Sequence, residues 1–319
     1  MMQASISILQ KYISWLNKSE GIAISDKFLL FFVKLIYISV RIILLVLGKK
    51  RRNRLIVKQG LDFGTLWKRY YDIWKIGKSD SALLKFKMPK YNYEFYCRRN
   101  KDDFKIMTFH EDDIMNHSFR PTEGAIVIDI GAHIGPYTLI ASKRVGSQGK
   151  VVAIEADPDN FDILTRNINL NRLTNVIALN YAVYSKEETV KLYLPSTEDQ
   201  SSYTKYNSVM SDRGLGETKF VEVKANTLDH LLQKNGIRHE DVNWIKIDVE
   251  GAEFEVLKGA KDILSKSRDI SLLIEIHNLY GSINFYEQIK EFLSLYSFTI
   301  DYEKIYQENG ERHIVMRKY

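Results

Sequence analysis

One stretch, AIVIDIGAHIGPYTLIASKRVG at residues 125–146, limits what this chain can fold into more than any other. Ala125 to Ile130 is a short β-branched run bounded by glycine on both sides, the pattern of a strand buried on both faces. Asp129 interrupts it near its carboxyl end, and Gly131 and Gly135 follow in a turn where the backbone can approach a ligand without Cβ interference. Pro136 opens a helix, since its fixed φ suits the first turn and its missing N–H costs nothing there. Lys143 and Arg144 in the last turn, with Gly146 beyond, close it with the polarity a helix end favours. Strand, tight turn and helix, with an acid at the strand end, describe a nucleotide-type pocket.

The next strand sharpens the pocket. KVVAIEADPDNF places a second β-branched run at Val151 to Ile154, ending in Glu155, 20 residues after Gly135. A carboxylate at the end of the second strand of a βαβ unit suits the two hydroxyls of a ribose. Dinucleotides and S-adenosylmethionine both use this arrangement. Dinucleotide turns read G-x-G-x-x-G and aim a helix at a pyrophosphate. Here the turn reads D-x-G-x-x-x-G, with His133 at the second glycine's place, as a ligand contact or a neutral turn residue.

Charge is unevenly placed. The 319-residue chain carries +6, but Lys49, Lys50, Arg51, Arg52 and Arg54 supply five of those charges, so the rest carries only +1. A general nucleic-acid surface is therefore not expected. The cluster follows FLLFFVKLIYISVRIILLVL, Phe28 to Leu47, whose 20 residues would span roughly 30 Å as a helix, the depth of a bilayer core. Lys34 and Arg41 fall on one helical face and would cost about 5–7 kcal/mol at mid-membrane, which the apolar residues roughly offset. The segment thus predicts membrane attachment, spanning or interfacial, with the catalytic domain on the cytoplasmic side. The alternative is a helix buried against its own domain in a soluble cytoplasmic protein. The single Cys97 rules out an internal disulfide framework and fits a reducing compartment. The seven histidines show no ligand spacing.

Three parts follow: a helical attachment segment over 1–54, an α/β extension with a hairpin over 55–120, and the catalytic domain over 121–319. In the extension, NYEFYCRR and FKIMTFH read as two strands turning at NKDD, and Glu111, Asp112 and Asp113 as a solvated face or helix start. In the catalytic domain, NVIALNYAV reads as one strand with Asn180 near its end, residues 185–219 as a hairpin and a loop over the pocket, and Asn226 or Thr227 as a helix cap. Then IKIDVEGAEFEVLKGA gives a further strand ending in Asp248 and Glu250, with Glu253 three residues on. ISLLIEIH adds Glu275 and His277 at another strand end. Each acid alone could be a helix cap; charge accumulating on adjacent strand ends favours a ligand-binding cleft.

The ordered set VIDIGAHIGPYT, VVAIEADP, LNYAV, NTLDHLL, IKIDVEGAEFEVLKGA and LLIEIH resembles the FkbM-type family of S-adenosylmethionine-dependent methyltransferases. The resemblance implies an α/β, Rossmann-like class I methyltransferase. Its seven-stranded, mostly parallel sheet has order 3-2-1-4-5-7-6 and helices on both faces, with RHIVMRK as the antiparallel strand. It implies S-adenosylmethionine as cofactor and an oxygen acceptor on a sugar, glycan, lipid-linked saccharide or other small metabolite. By position, Asp129, Gly131, Ala132, His133 and Gly135 would form the cofactor turn, although the family usually has Asn where this chain has His133. Glu155 would hold the ribose, Asn180 would lie near the adenine, and Asp248 beside the methionine end or the acceptor. A removable acceptor proton calls for a base, and Asp248, Glu250, Glu253 and His277 are the candidates, His277 or Asp248 foremost. No metal is assigned, though a divalent cation held by the acids is compatible with oxygen ligands. The rival readings are a nicotinamide-dependent oxidoreductase, which would need G-x-G-x-x-G, and a membrane-attached binding protein of the same fold, which would not need the acids.

Overall fold

A computed structural model describes residues 83–88, 92–98, 101, 103, 106–107, 114–115, 118–194, 209, 219–277, 284–305 and 312–319. The chain divides into two compact units, Met1–His110 and Glu111–Tyr319. The apolar segment 28–47, the basic cluster after it, the acids at 111–113 and most of the loop 195–218 lie outside the described residues. Among the described residues no helix is long and apolar enough to cross a membrane.

In the first unit, β1 (Leu83–Met88) pairs antiparallel with β2 (Tyr93–Arg98), setting Phe86 opposite Phe95. The hairpin partner of NYEFYCRR therefore precedes it. FKIMTFH is not the second strand, because Ile106 and Met107 are helical and buried. The chain turns there around an ion pair: Asp103 accepts from the backbone N–H and from Nε and Nη2 of Arg98 at 2.7–3.0 Å.

The second unit is a doubly covered sheet. Its seven strands are β3 (Ile126–Ile130), β4 (Lys150–Ile154), β5 (Val176–Leu179), β9 (Val242–Ile247), β10 (Ile270–Ile276), β11 (Thr299–Ile305) and β12 (Arg312–Lys318). They lie in the order β11-β12-β10-β9-β3-β4-β5, with β12 antiparallel to both its neighbours, the topology the resemblance implies. Alternate residues of the central strands serve opposite faces. Ile128, Ile130, Val152 and Ile154 pack with α3 (Leu228–Lys234), α4 (Glu253–Lys258), α5 (Lys261–Lys266) and α6 (Asn284–Ser294). Ala153 packs instead with Leu164 and Ile168 of α2 (Pro158–Leu170). The helix α1 (Pro136–Val145) begins at Gly135 and ends at Gly146, with Lys143 and Arg144 in its last turn, as the sequence predicts.

NVIALNYAV is two strands, not one. β5 stops at Leu179, and β6 (Ala182–Val183) joins a separate three-stranded sheet with β7 (Glu188–Tyr193) and β8 (Phe220–Asn226). Asn180 causes the break: its side-chain amide donates to the carbonyls of Glu155 and Ala156 at 2.8 and 3.1 Å, turning the chain out of the main sheet. The hairpin expected within 185–219 has only its first strand there, β7, whose antiparallel partner β8 follows that stretch; Thr227 is the cap of α3, accepting from His230 N.

Candidate active site

Strands β3, β4, β9 and β10 all run parallel, so their carboxyl ends open on one edge. That edge is where open α/β sheets bind ligands. The turn after β3 is built from backbone. Gly131 has φ +72°, and a Cβ there would lie 1.8 Å from the carbonyl oxygen of Asp248, so no other residue fits. Gly131 and Ala132 donate to Ile154 O at 2.9 and 3.0 Å, which pins the turn across β4. His133 has φ +51°, a left-handed conformation that Asn and His enter more readily than most residues. A backbone requirement common to both side chains accounts for His standing where the family usually has Asn.

Glu155 completes this half of the site. Its Oε2 accepts from His133 N at 2.7 Å and its Oε1 from Asp157 N at 2.9 Å. Burial pushes its carboxyl up to about 7 against the pull of those two N–H groups. Asn180, bonded to Glu155 O, braces the same loop.

Between the halves lies a residue that sequence reading passed over. Lys246 is 4 % exposed near the carboxyl end of β9, directly opposite Asp129 in register. Its ammonium donates to Gly131 O at 3.0 Å and Asp248 Oδ2 at 3.1 Å, and lies 3.7 Å from Asp129 Oδ1. Asp129 is wholly buried and accepts from Thr138 Oγ1 at 2.6 Å. Burial raises its carboxyl and Lys246 and Thr138 oppose the rise. The signal was a lone lysine in the apolar run WIKI, two residues before Asp248.

The second half gathers around His277. Its Nδ1 is 2.8 Å from Oε1 of the fully buried Glu253, which also accepts from Gly251 N at 2.9 Å. Its Nε2 faces Glu250 Oε2 at 3.4 Å, Glu275 Oε1 at 3.8 Å and Asp248 Oδ1 at 3.9 Å. Glu275 also lies 3.2 Å from His313 Nε2. Burial alone would depress the imidazole, but Glu250, Glu253 and Glu275 outweigh it and hold His277 well above its usual value. Glu250 itself occupies a left-handed turn, φ +53°, ahead of Gly251 at +102°.

Residues 129–304 match the methyltransferase FkbM domain. The chain belongs to the FkbM methyltransferase family. It is 32% identical over 181 residues to methyltransferase sdnD of Sordaria araneosa, covering 50% of this chain and 67% of that one. It is 30% identical over 155 residues to the hexuronic acid methyltransferase AglP of Haloferax volcanii, covering 49% of this chain and 57% of AglP. Among solved structures, methyltransferase FkbM from Methylobacillus flagellatus aligns at TM-score 0.43 and 14% identity, over 87% of this chain and 57% of that one. A methyltransferase from Aquifex aeolicus aligns at 0.41 and 16%, over 68% and 93%.

This FkbM-family protein is thus an S-adenosylmethionine-dependent methyltransferase, and the oxidoreductase and non-catalytic readings fall away. Of the residues predicted from sequence, the structure brings Gly131, Ala132, His133, Gly135 and Glu155 into one turn-and-strand edge. It brings Asp248, Glu250, Glu253 and His277 into a second group beside it. Asp129 and Asn180 sit behind the turn, bonded to protein groups that hold it in place.

Lys246 should carry a stability cost that charge alone explains. Lys246→Met leaves Asp129 buried without its counter-charge and should destabilise the fold by about 3–5 kcal/mol. Adding Asp129→Asn removes the stranded charge, so the double variant should recover much of that loss in denaturant unfolding. A double variant less stable than Lys246→Met alone would show that the pair is not the reason the lysine is buried.

Proposed function

We propose that this enzyme transfers the methyl group of S-adenosylmethionine to a hydroxyl oxygen of a sugar, glycan, lipid-linked saccharide or other small metabolite. The observation that carries this reading is the adjacency of the two groups. The carbonyl oxygen of Asp248 abuts Gly131 of the cofactor turn, while its side chain belongs to the His277 cluster. Glu155 receives the ribose hydroxyls, and the acceptor enters on the Asp248 side. The name of the relative AglP supports a sugar-type acceptor. The near-neutral body of the chain disfavours nucleic acid.

The transfer is an in-line displacement: the acceptor oxygen forms a bond to the methyl carbon as the sulfur–carbon bond breaks and the sulfur keeps the electron pair. Holding the two reactants in line contributes roughly 7–11 kcal/mol. The acceptor's proton passes to a carboxylate of the cluster. Asp248 and Glu250 are the least buried of the carboxylates facing His277, so they are the bases, and Glu253 fixes the imidazole beside them. The test is kinetic, with labelled cofactor and fractionated cell glycans and lipids as acceptors. Asp248→Asn and Glu250→Gln should each lower kcat by about 10²–10⁴-fold while leaving S-adenosylmethionine affinity nearly unchanged. Wild-type turnover in both variants would place the base elsewhere.

The enzyme works at a membrane. Residues 28–47 attach it, and the basic residues 49–54 rest on the cytoplasmic, anionic face. In fractionation the full chain should pellet with membranes and resist a high-salt wash, because salt screens only the basic cluster. Full-length protein that stays in the supernatant without detergent would contradict membrane attachment.

A further inference from the structure

We infer that Asp248, Glu250 and His277 form a binding site for one divalent cation of the first transition row, with Glu253 orienting the histidine. The inference rests on the methyl-transfer reading only for what the ion does, not for whether it binds.

The two nitrogens of His277 behave differently. Nδ1 makes a close bond of 2.8 Å to Glu253, the normal length for a charge-assisted contact. Nε2, on a ring only 5 % exposed, faces the carboxylates of Glu250, Glu275 and Asp248 at longer range. It stands off from Glu250 Oε2 by 3.4 Å and from Asp248 Oδ1 by 3.9 Å, and one donor atom from each of the three residues lies within 4.8 Å of the others. Donors bound to a common cation at about 2.1 Å are separated by about 3–4 Å. The separations around Nε2 are those of donors gathered on a common ion.

The surroundings are those of a built site. A histidine ligand characteristically gives its other nitrogen to a carboxylate, which fixes the ring and the donor atom, and Glu253 does this here. Asp248 is held in the same way through its far oxygen, Oδ2, by Lys246 at 3.1 Å, while Oδ1 is the oxygen on the His277 side. Independently of these bonds, Glu253 is 0 % exposed and its Oε2 has no hydrogen-bond partner among the described residues. A buried carboxylate so placed is costly unless positive charge lies close by. A dication on the opposite nitrogen of the same ring supplies it, taking the place of any proton that nitrogen carries.

One imidazole and two carboxylates suit manganese, iron, cobalt or zinc better than calcium, which takes six to eight oxygens. Three protein ligands leave coordination positions open. Two neighbouring hydroxyls of a sugar-type acceptor can occupy them, which orients one oxygen and makes its proton easier to remove.

The full-length protein, stripped with chelator, is titrated with MnCl2 while free Mn²⁺ is followed by its paramagnetic resonance signal. S-adenosylhomocysteine binding is measured by calorimetry on the same samples. The wild type should take up one Mn²⁺ per chain. His277→Ala and Glu250→Gln should abolish or severely weaken that uptake, and Glu253→Gln should weaken it by about 10–100-fold, with S-adenosylhomocysteine binding retained. If His277→Ala loses the nucleoside as well, its fold is compromised and Glu250→Gln, on the turn, decides. Absence of saturable Mn²⁺ or Zn²⁺ uptake by a wild type that binds S-adenosylhomocysteine would overturn the ion site and leave the methyltransferase reading standing. Uptake unchanged in Glu250→Gln and His277→Ala would overturn it equally. Loss of S-adenosylhomocysteine binding in the wild type would strike the cofactor reading alone, and the Mn²⁺ titration would still decide the ion site.

Discussion

A single buried ammonium closes the carboxyl edge of this sheet. An isolated charge in the interior costs several kcal/mol, so Lys246 is tolerable only where its partners surround it. Those partners come from three places: Asp129 on the adjacent strand, the carbonyl of Gly131 in the cofactor turn, and Asp248 just past the end of its own strand. Satisfying all three requires β3 and β9 in their observed register and the turn folded tightly against Asp248. The missing Cβ of Gly131 is the same requirement seen from the other side, since any side chain there would strike the Asp248 carbonyl.

This constraint divides the edge into two regions of different character. On the β3–β4 side lie a glycine turn tied down by its own backbone bonds and one carboxylate, Glu155, suited to a nucleoside. On the β9–β10 side they are ionisable side chains around His277, suited to handling a proton. Lys246 touches both regions, bonding to a carbonyl of the first and a carboxylate of the second, so the two regions are fixed relative to each other by protein bonds. The methyl donor's positive sulfonium would lie toward an edge rich in carboxylates, which is electrostatically favourable.

Much of this was legible in the chain because the chemistry is local. A β-branched run that ends in an acid and two glycines, then another that ends in Glu155, reveals the donor side without knowledge of strand order. IKIDVEG and LLIEIH likewise reveal their acids and histidine. What depends on pairing was not legible. Lys246 looks like a stray cation in an apolar strand until Asp129 is known to sit beside it. Glu253 and His277 are 24 residues apart, on a helix and a strand, and only the packing of α4 on β10 joins them. The split of NVIALNYAV depends on what the amide of Asn180 meets, and β2 chose the preceding strand as its partner, which local alternation cannot decide. His133 is the converse case: its oddity against the family pattern is a backbone matter, settled by its left-handed φ.

The central claim is that Glu155 receives the ribose of S-adenosylmethionine, and its burial makes that claim measurable through pH. In the free protein the carboxyl is raised from 4.5 to about 7, so the folded state holds a proton that the unfolded chain has lost between those values. The stability this contributes is fully present below about 4.5 and is lost as pH rises through 7. Ribose hydroxyls donate to the ionised carboxylate, so binding the cofactor expels that proton. Calorimetric titration with S-adenosylmethionine from about pH 5 to pH 8 should therefore show affinity rising by up to about tenfold per unit and levelling above about 7. Glu155→Gln should bind about 1.5–3 kcal/mol more weakly and lose that rise. Identical affinity and an identical pH profile in the wild type and the variant would contradict the assignment.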